Sequence, residues 1–262
     1  GDRISGSLLA SLDLTESIAS RQMKLIDKTL AEAAQNVALD EALLLEAEES
    51  RDEGGFLRIW EPNDWVVVVG RGSSISREVE LARCRDDGLP VIRRSSGGAA
   101  IVAGPGCLFY AVVLSLDAYP SLRQIDQAHA FVLSRLVSEL KKLVPALERK
   151  GTSDLAIDDH KVSGNSLRCR KSHLLYHGTL LYDMPLDRLA RYLRFPPRQP
   201  DYRQSRSHAD FVCNLKLSRD VVRQAVLAAW NHPVTAVTWP QETTEKLVSE
   251  KYSTETWNQQ IR

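Results

Sequence analysis

Residues 158–183, which read DDHKVSGNSLRCRKSHLLYHGTLLYD, contain the pattern on which the fold assignment depends. Two runs with strand character lie on either side of a polar loop, so this stretch predicts at least two strands. Inside the first run Lys161 is followed by Ser163 and Gly164, and in the second run His177 precedes Gly178. A solvated lysine in an ordinary turn would explain these residues. Small residues beside a lysine also suit a backbone that passes close to a ligand.

Further strand patterns precede this stretch. FLRIW (56–60) and WVVVVG (65–70) predict two strands joined by a turn, and the valine run is apolar enough to be buried on both faces. LPVIRR (89–94) and CLFYAVVLSL (107–116) predict two more. Because strands often follow strands directly, the order of elements predicts an α+β fold with a mixed, largely antiparallel sheet flanked by helices.

Helical patterns separate and follow these strands. Residues from about 21 to 50 are rich in Ala, Leu and Glu, and they predict one long helix. Residues 125–143 place apolar side chains at helical spacing, and Ser218 is a typical N-cap for a helix over 218–230. Residues 1–20 are Ser-rich and weakly patterned, so we expect a loose lead-in followed by a single domain over 21–262.

The composition excludes several classes of function. Lys+Arg and Asp+Glu both total 34 in a chain of 262 residues, which argues against a broad nucleic-acid-binding surface. The four cysteines form no C-x-x-C pair, so a metal site of that type is not expected, and their number suits a reducing compartment. No secretion signal is visible in these residues, and no apolar run approaches the length of a membrane span. We therefore expect a cytoplasmic protein that binds neither nucleic acid nor membrane.

A glycine-rich loop follows the strand at residues 89–94. Arg93 and Arg94 end the strand, and the sequence continues as SSGGAA (95–100). Glycines allow backbone N–H groups to approach a phosphate, and arginines can neutralise its charge. The loop is not a P-loop, because Gly-Lys-Ser/Thr is missing, and no helix follows it as in a dinucleotide fingerprint. The alternative is a flexible turn with solvated arginines.

Four ordered motifs together resemble those of the lipoate–protein ligase and lipoyl/octanoyl transferase family. They are VVVVGRGSS (66–74), VIRRSSGGAA (91–100), TSDLAIDDHKVSGNSLR (152–168) and HGTLLYD (177–183). NVALDEALL (36–44) also resembles the opening helix of that family, so the resemblance covers residues from about 30 to 260. It implies a catalytic domain over 21–262 of the biotin/lipoate ligase type, similar to class II synthetases. Bacterial ligases of this type often add a C-terminal accessory domain, but the chain ends 85 residues after His177, so we expect no such domain here.

The resemblance implies a reaction in two steps. Lipoate or octanoate would attack ATP, with Mg²⁺ sharing the phosphate charge, and a carrier-domain lysine would then attack the acyl-adenylate. Lys161 would be the catalytic residue, because its ammonium can stabilise both the oxyanion and the departing phosphate. No metal ligand of the protein itself is expected. The nucleotide- and acyl-binding residues implied by the resemblance are Arg71, Arg94, Ser96, Gly97, Gly98, Ala99, Ala100, Asp154, Gly164, His177 and Gly178.

The sequence departs from the ligase pattern at three places. Ala99 stands where ligases have a third glycine, and IVAGPG (101–106) lacks their His-Asp pair. Cys213 in DFVCNL replaces a threonine that is usual in ligases, which resembles a transferase branch with a catalytic cysteine. The alternative is therefore octanoyl transfer from acyl carrier protein by a Lys161/Cys213 dyad without ATP. A biotin ligase and a non-catalytic protein that binds acyl groups or lipoyl domains are further alternatives.

The resemblance also implies partners. The acceptor would be a lipoyl carrier domain of a 2-oxoacid dehydrogenase or the glycine cleavage protein. Acyl carrier protein would be the donor in the transferase alternative. A separate accessory subunit would be needed if the function of the accessory domain is required.

Overall fold

The computed structural model describes residues 22–236 and 238–259 of the chain. The lead-in expected over residues 1–20 lies outside these described residues. Two sheets contain the strands of the described part. These strands are β1 (Lys24–Asp27), β2 (Phe56–Trp60), β3 (Val66–Val69), β4 (Val91–Arg93), β5 (Ile101–Ala103), β6 (Cys107–Ser115), β7 (Leu147–Lys150), β8 (Asp154–Ile157), β9 (His160–Cys169), β10 (His173–Leu181) and β11 (Val234–Thr235).

Helices cover both faces of the larger sheet. The α-helices are α1 (Ala33–Ser50), α2 (Ile75–Glu78), α3 (Leu81–Asp86), α4 (Ile125–Leu140), α5 (Asp187–Tyr192), α6 (His208–Phe211), α7 (Arg219–Ala229), α8 (Gln241–Leu247) and α9 (Glu255–Asn258). Short 3-10 turns lie at Pro120–Arg123 and Asp201–Arg203, and a π-helical turn at Val248–Tyr252 continues α8. As predicted, Ser218 caps α7, because its side chain accepts from the Val221 N–H.

The larger sheet has eight strands in the order β11-β1-β2-β6-β10-β9-β8-β7. The run from β2 to β7 is antiparallel throughout, whereas β1 pairs in parallel with both of its neighbours. The smaller sheet has the order β4-β3-β5, and only its β3–β4 pair is parallel. These pairings confirm the predicted α+β fold with a mixed, largely antiparallel sheet.

The central strand β6 shows how the core is divided. Successive side chains of a strand point to opposite faces. Accordingly Leu108 and Tyr110 pack on the side covered by α4 and α7, together with Leu136 and Val226. Ala111 and Val113 instead face α1 on the other side of the sheet. A third apolar cluster surrounds the smaller sheet, where all four residues of β3 are buried as the valine run predicted.

One sequence prediction about these elements is wrong. The helix expected from about residue 21 starts only at Ala33, and Lys24–Asp27 form strand β1 instead. Four residues are too few to show a period of their own, and their conformation is fixed by pairing with β2 and β11. The stretch over 158–183 does form two paired strands, β9 and β10. In the described part of the chain, no helix is both long and apolar enough to cross a membrane.

Candidate active site

A cavity of about 260 Å³ lies where β9 and β10 approach the smaller sheet and the segment after α5. One part of its wall is apolar and includes Trp60 and Phe109, whose rings stack with centroids 4.1 Å apart. Another part is polar and includes Lys161 and Asp154. A cavity with an apolar wall and a few converging polar groups is the usual form of a small-molecule site.

Lys161 and Asp154 form an ion pair in the polar part of the cavity. The Lys161 Nζ lies 2.7 Å from Asp154 Oδ1, and the lysine side chain remains 29% exposed. Tyr202 donates its hydroxyl hydrogen bond to the other carboxylate oxygen, Oδ2, over 2.8 Å. The lysine is therefore held at the cavity by one partner on its own sheet and can still reach a ligand.

Local strand irregularity brings these residues together. Strand β9 pairs Gly164 with Asp154, but a bulge at Leu155/Ala156 leaves Val162 as the extra residue in the ladder. Bulges beside a site re-aim the neighbouring side chains. Val162 then packs in the core while Lys161 lines the cavity.

Gly164 is small because the lysine side chain passes directly over it. A Cβ at this position would lie 3.0 Å from both Cε and Nζ of Lys161. Such contacts are closer than the usual separation of about 3.5–4.0 Å between non-bonded carbon atoms. The atoms closest to this glycine are thus those of the lysine side chain, and the cavity lies beside both residues.

Arg94 stabilises the glycine-rich loop from within. Its guanidinium donates to the carbonyl oxygens of Val68 (3.2 Å), Ala99 (3.0 Å) and Gly97, and to Ser96 Oγ. The side chain is buried, and burial lowers the pKa of Arg94 to about 10, although the charge of Glu78 opposes that shift. Its N–H groups thus have partners within the loop and on β3, and Arg94 holds the loop in place.

A chain of hydrogen bonds connects this loop to helix α1. Ser96 Oγ lies 2.6 Å from His177 Nε2, and His177 Nδ1 lies 2.9 Å from Asp40 Oδ2. The other oxygen of Asp40 pairs with the Arg58 guanidinium at 2.6 Å. Although burial alone would raise the pKa of Asp40, Arg58 and His177 lower it below its ordinary value.

The ionised Asp40 fixes the direction of these bonds. A carboxylate can only accept, so His177 Nδ1 and the Arg58 guanidinium both donate to Asp40. A serine, a histidine and an aspartate in this order also form hydrolase triads. However, Ser96 is only 1% exposed and is therefore not a nucleophile for a substrate in the cavity. The chain instead fixes the loop against β10.

The other predicted binding residues lie at different depths. Gly98, Ala99, Ala100, His177 and Gly178 line the cavity. The Arg71 side chain is exposed, and the described residues that line the cavity do not include it. Its backbone N–H instead donates to the Ser96 carbonyl oxygen over 2.8 Å.

Cys213 lies beside Lys161 along the backbone but not in the cavity. Its N–H donates to the Lys161 carbonyl oxygen, and Val212, which pairs with Lys161 in a parallel bridge, is the residue that lines the cavity. The Cys213 Sγ points toward the His160 carbonyl oxygen at 3.7 Å and packs against the main core. Burial raises the pKa of the thiol, which disfavours a thiolate. This position argues against the Lys161/Cys213 dyad.

Three residues of the site were missed in the sequence. Asp40 and Arg58 lie in regular elements and gave no motif of their own, although Asp40 belongs to the opening-helix pattern. Tyr202 lies in the polar segment after α5. The sequence signal that could have found Asp40 is its place among the apolar residues of NVALDEALL (36–44), because a carboxylate buried with them needs a charged or hydrogen-bonding partner.

Comparisons with known proteins agree with this geometry. The family model described as the lipoyl protein ligase A/B catalytic domain matches residues 32–231. A protein of Aeropyrum pernix, provisionally named lipoate-protein ligase A, is 34% identical over 60% of this chain and 56% of its own length. The octanoyltransferase LipM of Brevibacillus brevis is 26% identical over 86% of this chain and 94% of its own length. The chain spans about half the length of the first curated relatives that it matches.

Solved structures share the fold at lower identity. A bipartite lipoate protein ligase from Thermoplasma acidophilum, described together with its E2 lipoyl domain, has a TM-score of 0.78 and 23% identity. The match covers 92% of this chain and 97% of that chain. A lipoate-protein ligase A bound with ATP has a TM-score of 0.76 and 24% identity, over 92% of this chain and 100% of that chain.

Proposed function

This chain belongs to the lipoyl protein ligase A/B catalytic domain family, and from that membership we propose that it attaches lipoate or octanoate to a specific lysine of a carrier domain through an acyl-adenylate. The observation that carries the proposal is a single cavity that joins an apolar wall to Lys161 and to the glycine-rich loop. The apolar wall suits the acyl chain, and Lys161 and the glycine-rich loop suit the phosphate of the adenylate.

In the first step the acyl carboxylate attacks the α-phosphorus of ATP, and pyrophosphate leaves. Negative charge on the phosphate oxygens is stabilised by fixed cations and N–H groups. Lys161, held 2.7 Å from Asp154, supplies a cation. The loop held by Arg94 supplies backbone N–H groups. The Asp154 carboxylate keeps the lysine in place before ATP arrives.

ATP brings Mg²⁺, which prefers oxygen ligands and is commonly bound by one or two carboxylates together with substrate phosphates. No cluster of three or more potential metal-ligating side chains occurs among the described residues. Asp154 lines the cavity beside Lys161 and presents the hard oxygen donors that this ion prefers. Asp40 and Glu78 also line the cavity, but Asp40 pairs with Arg58 and Glu78 accepts from the Ala100 N–H. Asp154 is therefore the residue that would hold the ion, which would share the phosphate charge.

In the second step the amine of the carrier lysine attacks the acyl carbonyl, and AMP leaves with the bonding electron pair. Lys161 stabilises the oxyanion and then the phosphate of the leaving AMP. The acceptor is a lipoyl domain, as the E2 lipoyl domain described with the bipartite Thermoplasma acidophilum ligase suggests. That bipartite relative also supports a separate accessory subunit as a partner. The glycine cleavage protein is an equivalent acceptor.

Octanoyl transfer from acyl carrier protein is the second candidate. One observation favours it, since this chain spans 94% of the length of the octanoyltransferase LipM of Brevibacillus brevis. The position of the half-buried Cys213 opposes it, because its thiol lies outside the cavity lining and burial raises its pKa.

Lipoate-dependent exchange between ATP and pyrophosphate tests the proposal. The purified chain, alone and with a candidate accessory subunit, is expected to exchange labelled pyrophosphate only when lipoate or octanoate is present. Absence of exchange together with octanoyl transfer from acyl carrier protein would replace the ligase with the transferase.

A further inference from the structure

The C-terminal part of the chain contacts the phosphate-binding side of the site, although it lies outside residues 32–231 that match the family model. Its contacts come from four residues after α8, which we call the C-terminal clamp: Lys251, Tyr252, Trp257 and Asn258.

The clamp holds Arg93 through both its backbone and its side chain. Trp257 Nε1 donates to the Arg93 carbonyl oxygen over 2.7 Å, and the Arg93 N–H donates to Asn258 Oδ1 over 2.9 Å. The Arg93 Nε donates to the Trp257 carbonyl oxygen over 3.1 Å. Strand β4 is an edge of the smaller sheet, so these side chains pair backbone groups at that edge.

Arg93 connects the clamp to the glycine-rich loop through hydrogen bonds to residues that contact the loop. Its buried Nη1 donates to the carbonyl oxygens of Gly70 (2.7 Å) and Ser73 (2.9 Å). Gly70 in turn lies against the loop, because a Cβ placed on it would be 1.9 Å from the Gly98 carbonyl oxygen. The next residue, Arg94, holds the loop from inside. A continuous series of contacts therefore runs from Asn258 through Arg93 and Gly70 to Gly98.

A second anchor lies on helix α1. Tyr252 donates its hydroxyl and Lys251 its ammonium to Glu41 Oε2, each over 2.6 Å. The other oxygen of Glu41 pairs with Arg168 of β9 at 3.0 Å. Glu41 directly follows Asp40, which orients His177 against the loop. The clamp thus contacts two of the elements that position the loop.

We propose that the C-terminal clamp keeps the loop over residues 95–100 in its phosphate-binding geometry, which makes Trp257 and Asn258 positioning residues for ATP. The part concerning ATP rests on the proposed function. Neither residue lines the cavity in the described part of the chain, so their effect passes through Arg93.

Trp257→Phe is the first test, because it removes the N–H donor and keeps an aromatic ring. The matched control is Trp239→Phe, in which the same change is made in a residue that packs against the cluster around α1. We expect amide hydrogen exchange over residues 93–100 to rise about threefold to tenfold in Trp257→Phe, as for the loss of one hydrogen bond. Exchange in β6 should stay unchanged, as should both regions in the control.

The kinetic test separates positioning from simple stabilisation. In pyrophosphate exchange, Trp257→Phe should raise the KM for ATP about threefold to tenfold, with kcat and the KM for lipoate within about twofold of wild type. Asn258→Ala should raise the KM for ATP in the same way. Asn258→Asp should recover only part of the loss, because it keeps an oxygen for the Arg93 N–H but loses the donor to the Tyr252 carbonyl oxygen.

Unchanged amide hydrogen exchange over residues 93–100 in both Trp257→Phe and Asn258→Ala would overturn the proposal that the clamp orders the loop. Faster hydrogen exchange with an unchanged KM for ATP would overturn the positioning role. If wild type shows no ATP-dependent activity, the proposed function fails separately, and hydrogen exchange still decides whether the clamp orders the loop.

Discussion

Lys161 and Tyr202 bind opposite oxygens of the same Asp154 carboxylate, at 2.7 Å and 2.8 Å. The tyrosine comes from the segment after α5, whereas the lysine and the aspartate come from neighbouring strands. The carboxylate thereby joins the sheet to the segment that closes the cavity. Removing either hydrogen-bond donor should affect catalysis in a different way.

Lys161→Ala should abolish most of the activity in both steps. Loss of a preorganised charge that stabilises a transition state costs about 10²- to 10³-fold in kcat. Pyrophosphate exchange and transfer from synthetic acyl-adenylate to a lipoyl domain should both fall by that order. Full activity of Lys161→Ala in both assays would show that the site assignment is wrong.

Tyr202→Phe should have a smaller effect. The hydroxyl orients Asp154 and does not carry charge to the substrate, so we expect kcat/KM to fall about threefold to tenfold, as for the loss of one hydrogen bond. Tyr182→Phe is the matched control, because its hydroxyl donates to Glu61 away from the cavity lining. Equal losses in the two variants would remove the special role of Tyr202.

Gly164→Ala should reduce activity more than stability. The added methyl group would displace the flexible end of Lys161 rather than backbone atoms, so the free energy of unfolding should change by only about 1 kcal/mol. A misplaced catalytic group can cost about 10²-fold in rate. Gly72→Ala is the control, because nothing lies within 4 Å of a Cβ there. Unfolding midpoints in urea would measure stability, and rates of pyrophosphate exchange would measure activity. A fully active Gly164→Ala would contradict this prediction.

Asp40→Asn should destabilise the fold by about 3–5 kcal/mol at pH 7, because it leaves Arg58 buried without its charge partner. The pKa of Asp40 is lowered in the folded protein, so its carboxylate stabilises the fold above its unfolded pKa of about 3.9. That contribution is lost as the pH falls through the folded pKa. Urea unfolding at several pH values should therefore show wild type and variant converging below about pH 4. A constant difference across that range would contradict the assignment.

The sequence motifs predicted the fold, and several of their residues line the cavity, because these motifs are local. The lysine with its small neighbours and the His-Gly pair lie on paired strands, so their register follows from the strand pattern. The hydrogen-bond partners of these side chains, in contrast, also come from residues distant in sequence. The sequence predicts that Arg94 binds phosphate, but it does not predict that the Arg94 N–H groups also hold the loop. That role depends on the carbonyl oxygens of Val68 on another strand and of Ala99 in the loop.

The same limit explains Cys213 and the hydrogen-bond chain to Asp40. Whether a residue faces the cavity or the core depends on a shift of one position, and it is Val212 that pairs with Lys161 and lines the cavity. Asp40, Ser96 and His177 are distant in sequence and meet only through packing of α1 against β10. No spacing rule connects them.

Cys213→Ala should retain ligase activity within about twofold, because the thiol packs against the core and lies outside the cavity lining. Carrier-domain acylation with ATP and lipoate is the assay. A complete loss in a variant that still folds would favour the cysteine-dependent transferase.

Transfer of oxygen from the acyl carboxylate to AMP tests the central claim most directly. Lipoate labelled with ¹⁸O in its carboxylate is supplied with ATP, Mg²⁺ and a lipoyl domain, and the AMP is examined by mass spectrometry. An acyl-adenylate route places one labelled oxygen on the phosphate of each AMP formed. Acylated lipoyl domain without labelled AMP would contradict the account.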